Sequence, residues 1–192
     1  THTVCGIAPD DIDCSGTPVD VGGDLDPTTV VDLQLGRQHA CALTSAGTVW
    51  CWGDNSVGQL GLLPTGPGTN VPTEITAAGT DVAALSAGGE HTCVVENDGD
   101  VFCWGSHEEG QLGDGEEVGT HDTCRGETID CSAAPVQADL PGPAQMVAPG
   151  QFHTCALLVD GDVYCWGWND RRQVGQADRE RRTTPIKIEG LD

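Results

Sequence analysis

Apolar residues in this chain come in short runs, such as Val30 to Leu35 and Val82 to Leu85, with Gly and Pro punctuating the gaps between them. Runs of this length bounded by turn formers read as short β-strands. In the first stretch the expected strands are Val19-Asp20-Val21, Val30 to Leu35, His39 to Thr44 and Thr48 to Trp52. Nothing reads as a long helix, and no run approaches the ~20 apolar residues that a membrane span needs.

The pattern repeats. One unit opens at Gly36-Arg37-Gln38-His39-Ala40-Cys41, again at Gly88-Gly89-Glu90-His91-Thr92-Cys93, and again at Gly150-Gln151-Phe152-His153-Thr154-Cys155. Each copy runs on to a Val-aromatic-Cys-Trp-Gly string, at Val49 to Gly53, Val101 to Gly105 and Val163 to Gly167. Gly58-Gln59-Leu60-Gly61, Gly110-Gln111-Leu112-Gly113 and the variant Arg172-Gln173-Val174-Gly175 follow, and a Pro-led strand closes each copy, at Pro72 to Ile75, Pro135 to Ala138 and Pro185 to Ile188. The opening residues, His2 to Cys14, parallel His121 to Cys131 and so read as the tail of an earlier copy.

Register follows from spacing. If Cys41 faces Cys51, Thr44 faces Thr48 and the loop is Ser45-Ala46-Gly47, whose last position favours the left-handed conformation that Gly supplies. Counting back from the closing pair puts the cysteines at a non-hydrogen-bonded rung, where opposed side chains approach most closely. The expected disulfides are Cys41 with Cys51, Cys93 with Cys103, and Cys155 with Cys165, with Cys5–Cys14 and Cys124–Cys131 closing local loops. Paired cysteines could instead hold zinc, but a ten-residue spacing across one hairpin lacks the Cys-x-x-Cys knuckle of structural sites. Ten cysteines so arranged predict an oxidising compartment, hence a secreted or cell-surface protein.

At 192 residues the chain has the length of one to one and a half domains. Its formal net charge of -22 repels phosphate backbones and anionic lipid headgroups, so neither nucleic acid nor membrane insertion is expected. The charge is uneven: residues 171 to 192 hold six of the eight basic residues against four acids.

The recurring motifs resemble the regulator-of-chromosome-condensation repeat family, carried by His153-Thr154-Cys155-Ala156-Leu157, Asp160-Gly161, Cys165-Trp166-Gly167 and Gly58-Gln59-Leu60-Gly61. The resemblance covers residues 18 to 188. It implies an all-β fold of β-propeller blades, each of four antiparallel strands, with about three blades forming an arc of a larger, seven-bladed ring. The expected division is 1–17 as the tail of a preceding repeat, 18–71 as blade 1, and 72–134 as blade 2 with a stapled insertion at 114–132. Blade 3 then spans 135–184, and 185–192 is the first strand of a following blade. The family's eukaryotic founder works on a small GTPase and chromatin, an activity that the acidity here argues against. Acidic, cysteine-rich copies resemble the bacterial extracellular branch, some of whose members, such as β-lactamase-inhibitor propellers, bind proteins through one loop face.

The expected function is an extracellular interaction scaffold that binds a protein through its blade loops. The alternative is an assembly module pairing with further blades or copies of itself. A secreted enzyme on a propeller frame ranks below both, because no nucleophile elbow, phosphate loop, Ser-His-Asp order or metal signature is present. His39, His91 and His153 are expected to make a repeated structural hydrogen bond, and Trp52, Trp104 and Trp166 to pack between sheets with the indole N–H on a loop carbonyl. No cofactor is expected. Calcium is the alternative at Asp98-Gly99-Asp100, Asp160-Gly161-Asp162 and the Asp10 to Asp13 cluster. Candidate partner-binding residues are Glu116, Glu117 and Asp122 in the insertion, and Trp168, Arg171, Arg172, Arg181 and Arg182 near the basic end.

Overall fold

The computed structural model describes residues 6–8, 11–13, 22–63, 66–119, 121–124 and 129–191. After a two-stranded ribbon of β1 (Gly6–Ala8) and β2 (Asp11–Asp13), the chain builds three antiparallel sheets in sequence. Blade 1 is β3 (Val30–Leu35), β4 (His39–Thr44), β5 (Val49–Asn55) and β6 (Gly66–Glu74), side by side in that order. Blade 2 holds β7 (Val82–Ala87), β8 (His91–Glu96), β9 (Val101–Ser106), β10 (Asp122–Cys124) and β11 (Ile129–Gln137). There β11 pairs with β9, and β10 adds a fifth strand at the outer edge. Blade 3 is β12 (Ala144–Pro149), β13 (His153–Leu158), β14 (Val163–Gly167) and β15 (Arg182–Lys187). The single helical turn among the described residues is 3-10, at Thr76–Ala78. No helix among the described residues is long and apolar enough to cross a membrane.

This pairing moves the blade boundaries. Glu74 lies opposite Trp50, Gln137 opposite Phe102 and Ile186 opposite Cys165, so the strands around Pro72, Pro135 and Pro185 close blades 1, 2 and 3. The expected division had given them to the following blades. The reason is connectivity: after the Gly-Gln-Leu-Gly turn the chain returns antiparallel to the Trp strand it has just left, the nearest open edge. The segment 185–192 is therefore no first strand of a new blade. Val19-Asp20-Val21 lies outside the described residues.

The central hairpins have the expected register. Cys41 is opposite Cys51, Cys93 opposite Cys103 and Cys155 opposite Cys165, and each pair is bonded with its Cα atoms 4.1 Å apart. That separation belongs to a non-hydrogen-bonded rung. Gly47 takes a φ of 77° at the end of the three-residue loop, where a β-carbon would be strained. Cys124 and Cys131 are bonded diagonally across the β10–β11 hairpin, Cα atoms 6.1 Å apart, because Asp122 is the residue opposite Cys131. Cys5 and Cys14 lie outside the described residues.

A single four-stranded sheet cannot enclose a core, so the core forms between blades. Cys41, Leu43, Val49, Cys51 and Leu60 of blade 1 pack against Val82, Leu85, Val94 and Trp104 of blade 2. One blade further on, Cys93, Val95, Val101, Cys103 and Leu112 pack against Ala144, Val147, Ala156 and Trp166. Each disulfide is thus a buried apolar surface of the blade junction as well as a staple within its hairpin.

Candidate functional site

The blade junctions are held by a polar relay as well as by apolar packing. His39 Nε2 lies 2.9 Å from Thr92 Oγ1, and that hydroxyl lies 2.8 Å from the Gln59 carbonyl oxygen, which also accepts the Trp104 indole N–H at 3.1 Å. One blade on, His91, Thr154, the Gln111 carbonyl and Trp166 repeat the set with all three distances at 2.9 Å. A carbonyl only accepts, so each threonine hydroxyl donates to it and receives the imidazole Nε2–H. The histidine therefore carries its proton on Nε2. Burial lowers the His39 imidazole from its usual 6.5 to about 4, partly offset by the charge of Asp54. Burial, reinforced by the neighbouring His39 and His153 rings, takes His91 to about 3. Both are neutral structural groups at physiological pH, unsuited to acid-base work there.

The Gly-x-x-His spacing has a steric cause. A β-carbon on Gly36, Gly88 or Gly150 would fall on the imidazole three residues later, and on Gly88 it would also lie 2.6 Å from the Gly150 carbonyl oxygen. Glycine lets the ring lie flat against the backbone beneath it.

The Asp-Gly-Asp turns have internal work for their first carboxylates. Asp98 Oδ1 accepts the Asp100 N–H and Asp160 Oδ1 accepts the Asp162 N–H, each at 3.0 Å. Asp162 also pairs with Lys187 at 2.6 Å. These are the side-chain to backbone bonds that aspartate makes in tight turns.

The outgoing side of blade 3 differs from the same side of blades 1 and 2. His153, Cys155, Leu157 and Val163 are only half-buried, whereas their counterparts in the first two blades, His39, Cys41, Leu43 and Val49 and then His91, Cys93, Val95 and Val101, are all buried. Arg172 stands where Gly58 and Gly110 stand and takes the same left-handed backbone, φ 63°. A β-carbon on Gly58 would lie 2.9 Å from Ala133, and one on Gly110 2.7 Å from the Arg182 carbonyl oxygen, both in the last strand of the following blade. An arginine at this position prevents a further blade from docking with the geometry of the first two junctions.

The candidate partner-binding residues divide. Arg171 and Arg172 are exposed, with Arg171 3.7 Å from Asp170. Trp168, on the same loop, is half-buried and meets Phe152 edge-on with ring centroids 5.7 Å apart. Arg181 and Arg182 are engaged within the chain: Arg181 donates to the Glu108 carbonyl at 2.6 Å, and Arg182 pairs with Asp178 at 2.6 Å. The basic end is thus partly neutralised where it stands. Glu116 and Glu117 are exposed in the insertion, and Asp122 is in β10, its side chain outside the described set. The residues that the sequence reading passed over are His107 and His121. The signal was available, since His107 occupies the place of Asn55 and Asn169 in the other two copies.

Three stacked antiparallel sheets joined by a recurring His–Thr–carbonyl–Trp relay define a β-propeller repeat protein. The chain belongs to the regulator of chromosome condensation (RCC1) repeat family, whose repeat matches residues 46–95, 98–157 and 160–192, and in a second form 30–59, 82–111 and 145–173. It is 34% identical over 163 residues to the Ultraviolet-B receptor UVR8 of Arabidopsis thaliana, covering 84% of this chain and 34% of that protein. It is 32% identical over 186 residues to human RCC1 domain-containing protein 1, covering 82% of this chain and 49% of that one. The chain therefore spans between a third and a half of the length of these relatives. Among solved structures it is similar in fold to Prp20p of Saccharomyces cerevisiae, with TM-score 0.75, 21% identity, and 85% of this chain and 39% of that one covered. Human WBSCR16 aligns with TM-score 0.68 and 25% identity over 83% of this chain and 38% of its own.

Proposed function

We infer that this arc is an interaction scaffold of a secreted or cell-surface protein, and that it binds a protein partner on the outgoing side of blade 3. The supporting observation is the pairing of a half-open apolar face, Cys155, Leu157 and Val163, with an arginine at the position where the junctions need glycine. An apolar surface left open by a repeat and rimmed by Trp168, Arg171 and Arg172 has the composition of an interface centre, rich in aromatic and arginine side chains. Four disulfides among the described residues support an oxidising compartment. Protein binding also agrees with the solved neighbours, since yeast RCC1 (Prp20) has been crystallised bound to Kap60. The expected result is stoichiometric capture of one species from an extracellular extract by the immobilised chain, lost in a Leu157→Asp, Arg171→Glu, Arg172→Glu variant. Equal capture by both, or none by either, would refute the reading.

The alternative, assembly with further blades or copies, is favoured by the other end. In blade 1, Val31, Leu33 and Leu35 form an exposed apolar row on β3. Sedimentation across a range of chain concentrations separates the two: a concentration-dependent assembly supports this alternative, and a monomer throughout favours the heterologous partner.

A further inference from the structure

Blade 2 departs from its neighbours at one buried residue. In blade 1 the Asn55 side chain closes the Gly-Gln-Leu-Gly turn from both ends, donating to the Leu62 carbonyl at 2.9 Å and accepting the Leu60 N–H at 3.1 Å. Asn169 does the same in blade 3, to the Asp178 carbonyl at 2.9 Å and from the Val174 N–H at 3.2 Å. Blade 2 has His107 there, fully buried. Its Nε2 has only a long contact of 3.4 Å to the Glu116 carbonyl, and its Nδ1 has no hydrogen-bond partner among the described residues. A buried polar atom without a partner is destabilising, so this exchange weakens the turn unless something else is gained.

The insertion brings the other groups. Asp114 opens it, and His121 precedes the Cys124–Cys131 hairpin. Asp114 Oδ2 is 2.7 Å from His121 Nε2, and Asp114 Oδ1 is 3.9 Å from His107 Nε2. The two imidazoles lie with centroids 4.4 Å apart. One atom from each of the three residues lies within 4.8 Å of the other two. The backbone that carries His121 is held by buried Asp130, whose carboxylate accepts the Gly119 N–H at 2.6 Å and the His121 N–H at 3.2 Å. His121 Nδ1, also without a hydrogen-bond partner, is 3.8 Å from Asp130 Oδ2.

We propose that His107, Asp114 and His121 bind a divalent first-row transition cation of the zinc class, which clamps the insertion onto blade 2. Imidazole nitrogens with one carboxylate suit zinc and its neighbours and do not suit calcium or magnesium, which take oxygen ligands. Zinc bonds of about 2.0–2.1 Å in tetrahedral array place neighbouring ligand atoms roughly 3.4 Å apart. His121 Nε2 is 2.7 Å from one oxygen of Asp114 and His107 Nε2 3.9 Å from the other, and one ligand atom of each residue lies within 4.8 Å of the other two, so the three groups stand close to that spacing. Three protein ligands leave the fourth position to water. Asp130, beside His121 Nδ1, is placed to orient that ring from outside the coordination sphere. The calcium alternative at the Asp-Gly-Asp turns concerned other residues and a different chemistry.

The test is calorimetric titration of the disulfide-intact chain with Zn²⁺ near neutral pH, with excess Mg²⁺ present to occupy the acidic surface. One ion per chain with a Kd of about micromolar or tighter is expected, together with a rise in melting temperature. His107→Asn restores the residue used by blades 1 and 3 and so keeps the turn, yet it should weaken Zn²⁺ binding at least ~10-fold, as should His121→Ala. His153→Asn, in the outgoing face of blade 3, should bind as the parent does. Co²⁺ in place of Zn²⁺ should show the visible absorption of a four-coordinate ion in the parent and not in His107→Asn. Absence of saturable binding, or equal affinity in the parent and His107→Asn, would overturn the proposal.

Discussion

Leu85 and Val147 are sealed inside the two blade junctions at 3% and 5% exposure, whereas Leu33, at the same register position in blade 1, is 41% exposed. The polar relay shows the same contrast. Thr92 and Thr154 receive histidines, and blade 1 has Ala40 in that place, with no hydroxyl to offer. At the opposite end His153 holds the same register position as His39 and His91, opposite the glycine of its Trp strand, and meets no following threonine among the described residues. A residue of the repeat thus has no fixed energetic value. What it contributes depends on whether a neighbouring sheet covers it, as expected where stability resides in nearest-neighbour interfaces.

Acid should expose this contrast most strongly. His39 and His91 are depressed from 6.5 to about 4 and about 3, so the unfolded chain binds more protons than the folded one below pH 6.5. Their contribution is fully present above 6.5 and is lost as pH falls toward the folded values. Between pH 7 and 5 the two together should remove up to about 4 kcal/mol, at most about 1.4 kcal/mol per histidine per pH unit. Denaturant unfolding across this range measures the loss. His153, also lowered by burial but half-open, should matter less, so a His153→Gln variant should keep the steep profile. A flat profile in the parent would mean that the junction histidines are not sealed.

Truncating the core separates the faces next. Leu85→Ala should destabilise the chain by about 2–5 kcal/mol, as removal of a buried leucine does, and Leu33→Ala by less than about 1 kcal/mol. Equal losses in thermal or denaturant unfolding would mean that blade 1 is covered on its incoming side.

The smallest effect concerns the relay. Thr92→Val keeps the shape but removes the acceptor of the His39 Nε2–H and a donor to the Gln59 carbonyl, and should destabilise by about 1–3 kcal/mol. Ala40→Thr gains no such bond, because no histidine of the described chain reaches it, and since Ala40 is itself buried against Ala42 and Trp52 the larger side chain should destabilise by about 1–3 kcal/mol.

Much of the fold was legible because the repeat states it three times. The Cys41–Cys51 rung follows from a count back from Gly47, since a three-residue loop leaves one register. The indole N–H of Trp104 on a loop carbonyl was foreseeable from the chemistry of a buried indole. The place of the Pro-led strands was not, because strand order is a pairing between edges and the motif order alone does not say which edge receives β6 or β15.

The sequence by itself determined the all-β class, the repeat, the hairpin registers and the cysteine pairs within them, because these depend on contacts a few residues apart. Only the tertiary structure decided which residues share a junction, that Arg172 occupies a place where the next sheet would need glycine, that Arg181 and Arg182 are already engaged, and that His107, Asp114 and His121 meet. Those facts depend on how separate sheets stack and on how an insertion folds back over its blade. Spacing along the chain carries no record of distances set across a sheet interface.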